Sequence, residues 1–194
     1  MSVTPSFIGL HAVILHRPGD AANRLTRQLN VLGLRVSVQW APLDLDRTPA
    51  HLAIVDADAG WTGILPWTLE KSHVPLVALL GSEAPGRIAW ALDHGATALI
   101  AKPVAASAVY PALVMAFRFH AEAQRTAETL AQLEERIRLR PLVLGAVQAL
   151  RRQLGLDEAA AYRHLRQEAM RRRITLESVS AEILAEPSAI RAAI

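Results

Sequence analysis

The 194-residue sequence predicts two architectures in one chain. An α/β domain with a five-stranded parallel sheet and flanking helices is expected over residues 1–104. A long coiled-coil helix over 105–139 and a three-helix all-α module over 140–194 follow. Three observations carry this prediction. Short Val/Ile/Leu-rich runs alternate with segments of helical spacing up to Pro103. After Pro103 the pattern becomes helical throughout. The charge divides in the same way: residues 1–104 hold eight basic and eight acidic side chains, whereas 136–173 hold ten arginines against three acids, a balance of +7.

The five strand candidates are Ala12–Leu15, Val36–Gln39, Leu52–Val55, Leu76–Leu80 and Ala98–Ile100, each short enough and apolar enough for a buried parallel strand. Between them, Ala22, Leu25, Leu29 and Leu32 mark one helix, residues 64–71 a weaker one, and Ile88, Ala89 and Leu92 another. Gly33 and Gly95 stand where left-handed helix caps are expected. Helices on both faces of the sheet follow from this alternation.

From Val109 onward, apolar or small residues recur at 109, 112, 116, 119, 123, 126, 130, 133 and 137, in alternating steps of three and four. That seam predicts a helix that pairs with a second copy. Ala112, Ala116, Ala123 and Thr126 make it thin. Three short helices complete the chain. The first, from about Pro141 to Leu154, buries Val143, Ala146, Val147 and Leu150 and stops at Gly155. The second, capped by Asp157 and ending near Arg173, buries Ala161, Tyr162, Leu165 and Ala169. The third buries Leu176, Val179, Ile183 and Leu184 before Pro187.

Composition excludes several functions. The absence of cysteine removes disulfide frameworks, thiolate metal sites and thiol nucleophiles. No apolar run approaches the roughly 20 residues needed to span a bilayer, and Met1–Gly9 lacks a secretory pattern, so a soluble cytoplasmic protein is expected. Seven scattered histidines offer no metal-binding pair, and no phosphate-binding glycine loop or catalytic triad occurs. The expectation is no enzymatic activity, no cofactor and no metal.

Two residues stand where an open parallel sheet forms its sites, at the carboxyl ends of strands: Asp56, closing LAIVD, and Lys102, following ALIA. On these residues and the strand order, residues 10–117 resemble a response-regulator receiver domain, with Asp56 at the phosphoacceptor position and Lys102 at that of the conserved lysine. Receivers hold Mg²⁺ with acids at the end of the first strand; here His16 and Arg17 occupy that place, Asp20 lies further on, and Leu80 replaces the hydroxyl after the fourth strand. Without oxygen ligands for a hard cation, a pseudo-receiver is expected. In it Asp56 is not phosphorylated but pairs with Lys102 or Arg17.

In the C-terminal half, Ala146, Leu150, Gly155, Ala161, Leu165, Arg166, Ala169, Met170 and Val179 resemble the ANTAR module, a three-helix RNA-binding unit of antitermination regulators. Val147 replaces a lysine common in that family. With the pseudo-receiver and the coiled coil in this order, the whole chain is similar to amidase-operon antiterminators. The resemblance implies a dimer that binds hairpin loops of a leader RNA under the control of a ligand-sensing partner protein. At about 100° per residue, Arg163, Arg166, Met170 and Arg173 form a strip beside the buried face of the second helix, suited to phosphates and splayed bases. Arg171, Arg172, Arg151 and Arg152 extend the candidate RNA contact. Trp40, Trp61 and Trp67 are candidates for the partner surface. A DNA-binding regulator with a helix-turn-helix, and a scaffold with no nucleic-acid partner, are the alternatives.

Overall fold

The computed structural model describes residues 5–59, 61, 63–67 and 72–185. The chain divides into two compact units, one up to Gln124 and one from Arg125 on.

The first unit contains β1 (His11–Leu15), α1 (Asp20–Val31), β2 (Arg35–Gln39), β3 (Leu52–Asp56), β4 (Leu76–Leu80), α2 (Pro85–Asp93), β5 (Ala98–Ala101) and the start of α3 (Ala106–Leu154). The sheet is wholly parallel with order β2-β1-β3-β4-β5, the doubly wound order whose switch point lies between β1 and β3. Side chains alternate across it. Ala12, Ile14, Leu52, Ile54, Val77, Leu79 and Ile100 pack against Leu25 and Leu29 of α1 and against Val109, Ala112, Leu113 and Ala116 of α3. Val13, Leu15, Ala53, Val55, Ala78 and Leu80 face the other way.

Helices cover both faces, as expected, α1 and α3 on the first face and α2, through Ile88, Trp90 and Ala91, on the second one. Beside α2 the second face is covered by irregular segments that bring in Leu43, Ile64, Leu65 and Trp67. The Leu43 amide donates to the Ile64 carbonyl at 2.8 Å, joining two of these segments. Residues 64–67 are not helical; Pro66 lacks the amide that a helix needs. The rest of the expected 64–71 helix lies outside the described residues, as does Pro187. Gly33 and Gly95 have positive φ, as their capping positions require. At Gly33 a side chain is also excluded by space, because a Cβ would lie 2.9 Å from Ile8 Cγ1.

In the second unit the expected first short helix is not separate. It is the end of α3, a single 49-residue helix that runs through Pro141. Proline resembles a helix start in sequence because its missing amide costs nothing there. Here the helix-forming residues on both sides, and the burial of Ala146, Val147 and Leu150, outweigh one lost hydrogen bond. α4 (Glu158–Arg172) begins at Asp157, whose side chain accepts from the Ala160 amide at 2.6 Å, and α5 (Leu176–Ala185) follows. Their core is Ala146, Val147, Leu150, Ala161, Leu165, Ala169 and Val179. Two apolar residues assigned to this core lie elsewhere: Tyr162 is 44% exposed and Leu184 38%. Leu184 instead covers Gly145, where a Cβ would meet its Cδ1 at 3.3 Å.

Candidate nucleic-acid interface and receiver-like pocket

At the carboxyl ends of the strands the structure brings together His16, Asp56, Asp58, Gly81 and Lys102. The Lys102 Nζ donates to Asp56 Oδ1 at 2.5 Å and to Asp58 Oδ2 at 2.9 Å. The same Asp58 oxygen accepts from the Gly81 amide at 2.7 Å. His16 Nε2 lies 3.1 Å from Asp56 Oδ2 without hydrogen-bond alignment, while its Nδ1 donates to the Arg17 carbonyl. Arg17 does not pair with Asp56, as the sequence had left open. Its guanidinium sits 5.4 Å from the Trp40 ring centroid instead.

Burial pushes the Asp58 carboxyl up, but the hydrogen bond from Lys102 and the amides of Gly81 and Ser82 outweigh it and hold the group below its ordinary value. A hard divalent cation does not fit this donor set. The ammonium group stands between the two carboxylates, and the end of β1 supplies an imidazole and a guanidinium rather than acids.

Asp58 escaped the sequence reading, although its signal was present. Two residues after Asp56 in a strand-to-loop turn, it lies on the same side of the sheet end. Trp67 is corrected as a partner-surface candidate. It is 3% exposed and donates its indole N–H to the His94 carbonyl at 2.9 Å. Trp40 and Trp61 do form an accessible pair, 5.7 Å apart.

In the helical unit, Arg163, Arg166, Met170 and Arg173 are exposed, and none of the three arginines has an acidic partner among the described residues. Arg173 caps α4 in the left-handed conformation (φ 54°) and directs its amide to the Ala169 and Met170 carbonyls. The neighbouring candidates differ. Arg171 makes a double hydrogen bond to Glu168, and Arg172 one to Glu182. Arg151 lies 3.8 Å from Glu158, and Arg152 has no acidic partner among the described residues. The hydrogen bond from Arg171 holds the Glu168 carboxyl below its ordinary value. Val147, in place of the family's lysine, is buried in the three-helix core.

A receiver-like sheet followed by a long helix and a small helical module defines a class of transcription regulator. Residues 10–117 match the family model described as AmiR, N-terminal, and residues 131–184 match that of the ANTAR domain. The chain belongs to the AmiR family of ANTAR-domain regulators. It is 29% identical to the aliphatic amidase regulator of Pseudomonas aeruginosa over 192 residues, covering 97% of this chain and 98% of that one. It is 31% identical to the transcriptional regulatory protein PdtaR of Mycobacterium tuberculosis over 114 residues, covering 59% and 56% respectively. Among solved structures, the response regulator StyR shares the fold with a TM-score of 0.53 at 15% identity, over 89% of this chain and 98% of that one. Among the described residues, no helix is long and apolar enough to cross a membrane.

Proposed function

We propose that the protein is an RNA-binding antitermination regulator with no catalytic role of its own. The observation that carries this reading is the strip of Arg163, Arg166, Met170 and Arg173, without acidic partners among the described residues and set on a helix fixed by its own core. Guanidinium groups on such a strip fork onto phosphates and stack on unpaired bases. A helix-turn-helix reader places its base contacts near the start of the recognition helix. α4 begins with Asp157 and Glu158 and carries its arginines later.

The test is a gel-shift titration against a two-hairpin leader RNA from the gene's own neighbourhood, with duplex DNA as competitor, at two salt concentrations. Selective RNA binding that is weakened by joint Arg166→Ala and Arg173→Ala substitution supports the reading. Preference for DNA, or unchanged affinity in the double variant, refutes it.

The finer reading is a dimer that holds two loops at once, gaining from high effective concentration. The expected seam is shortened at its start, because Val109, Ala112 and Ala116 are used in the first unit's own core. Phe119, Leu130, Leu133 and Ile137 stay exposed and available to a second copy. Phe119→Glu with Leu130→Glu should yield a monomer in sedimentation; an unchanged dimer refutes the seam. For control, the Lys102-filled pocket favours a ligand-sensing partner protein over phosphorylation, with Trp40 and Trp61 as its contact. Stable phosphorylation by acetyl phosphate and Mg²⁺ would contradict this.

A further inference from the structure

The exposed seam of α3 does not stop at Ile137. Leu130, Leu133, Ile137, Arg140 and Leu144 continue its alternating steps of three and four. Leu144 is 61% exposed, left out of the three-helix core. Where the seam enters the helical unit it forms one wall of an open groove of about 530 Å³, and Tyr162 of α4 with Leu176 and Glu177 of α5 forms the other. Between Phe119 and Ile137 the seam covers fewer than the roughly three to four heptads that stable helix pairing uses, and Ala123 and Thr126 thin it. The groove supplies the apolar contact that this stretch lacks.

The charges in the groove decide what fills it. Arg136, Arg140 and Glu177 line it together, and none of the three has an ion-pair partner among the described residues. RNA would gain nothing from a carboxylate in that wall. A second copy of the chain uses both signs, because two-fold pairing brings residue i of one copy to residue j of the other, and j to i. Arg140 holds a seam position, so in a parallel pair the two Arg140 side chains face each other and require a counter-charge. We infer that the dimer seam runs on into the helical unit: α3 of one copy lies in the groove of the other, against Tyr162 and Leu176, with Leu144 meeting its own counterpart and Arg140 of each copy paired with Glu177 of the other. The inference rests on the dimeric reading of α3 and adds to it Leu144, Tyr162 and the Arg140–Glu177 pair. Arg163, Arg166, Met170 and Arg173 do not line the groove, so the strip stays open to RNA. Dimerisation then holds α4 and α5 from outside, and the contact that joins the copies also sets their two arginine strips.

The test uses the full chain in sedimentation equilibrium. Arg140→Glu and Glu177→Arg, made singly, should each raise the dimer dissociation constant by at least about 10-fold, because each breaks both symmetry-related pairs and leaves like charges in contact. Together they should return it to within about 3-fold of the parent, which a merely local loss at the start of α5 would not do. The chain has no cysteine, so Leu144→Cys supplies a single thiol. Mild oxidation should join two copies through it, whereas Gln132→Cys, on the side of α3 turned away from the seam, should remain uncross-linked. Tyr162→Ala should weaken dimerisation by about 10-fold or more and leave affinity for an RNA with a single hairpin unchanged. Parental dimerisation in Tyr162→Ala and in both charge variants, no rescue in the double charge variant, or no cross-link through Leu144→Cys overturns the inference. The seam itself still stands if the Phe119/Leu130 double variant is monomeric. Loss of single-hairpin binding by Tyr162→Ala with the dimer intact assigns the groove to RNA and overturns the inference as well. A monomeric parent protein overturns both.

Discussion

Replacing Lys102 by methionine keeps most of the side-chain stem and removes the ammonium group that Asp56 and Asp58 share. The Lys102, Asp56 and Asp58 side chains are 19%, 11% and 31% exposed. Breaking a fully buried ion pair from one side costs about 3–5 kcal/mol, because the remaining charge is left without a partner. Partial exposure of all three groups brings the expected cost to about 2–3 kcal/mol. All four tryptophans, at 40, 61, 67 and 90, precede Gln124, so intrinsic tryptophan fluorescence follows the first unit alone. With a urea dependence of about 2 kcal/mol per M, the midpoint should fall by about 1–1.5 M. Adding Asp56→Asn removes the more buried stranded carboxylate, while the more exposed Asp58 can hydrate. The double variant should therefore be more stable than the sum of the single effects by at least about 1 kcal/mol. A Lys102→Met midpoint within about 0.3 M of the parent, or strict additivity in the double variant, would refute the view that Lys102 replaces a cation here.

The other predictions concern single side chains. Burial holds His120 below its ordinary 6.5, so the unfolded chain takes up its proton first as pH falls. Stability is complete above pH 6.5 and is lost as pH falls from there through the lower folded value. Urea midpoints at pH 7.5 and 5.5 should diverge more for the parent than for His120→Gln, and equal losses would count against burial as the cause. Arg173→Gly should relieve a left-handed non-glycine residue and stabilise the helical unit by about 1 kcal/mol while weakening RNA binding; circular dichroism melts and gel shifts together check both signs. Leu165→Ala, in the centre of the three-helix core, should cost about 2–5 kcal/mol, read in the same melts. Arg171→Ala should change RNA affinity less than Arg166→Ala, because Glu168 already holds Arg171; the reverse order in gel shifts would discard the distinction between paired and free arginines.

Much of the fold was legible because parallel strands buried on both faces must be apolar at nearly every position. The runs of β1, β3 and β4 were recognisable for that reason, the edge strands β2 and β5 by fewer apolar residues with exposed positions between them, and Asp56 stood out as a carboxylate closing one run. The irregular part of the cover on the second sheet face, beside α2, was not legible. Leu43, Ile64 and Trp67 follow no period, since chain crossings rather than helix turns place them. Continuity of α3 through Pro141 was hidden because one proline is equally compatible with a helix start, and the deciding burial of Ala146 and Leu150 is a tertiary effect. Tyr162 misled in another way. Next to the buried Ala161 and one turn from Arg166, it sits where the core face of α4 gives way to solvent. Helical spacing fixes that angle but not how far the core reaches around the helix.

The arginines themselves argue against a merely solvated surface. Of the ten between 136 and 173, Arg138, Arg151, Arg171 and Arg172 have acidic partners. A surface designed only for solubility would leave its unpaired charges interspersed with acids, which lowers mutual repulsion. Here Arg163, Arg166 and Arg173 share one side of α4 with an exposed methionine. Leaving such groups adjacent and uncompensated costs stability through like-charge repulsion. Glu168 and Glu182 are spent on Arg171 and Arg172, fixing the end of α4 rather than neutralising the strip. Repulsion of this kind is relieved when a polyanion arrives and releases its counterions, so the grouping is unfavourable in the free protein and favourable in a complex with RNA.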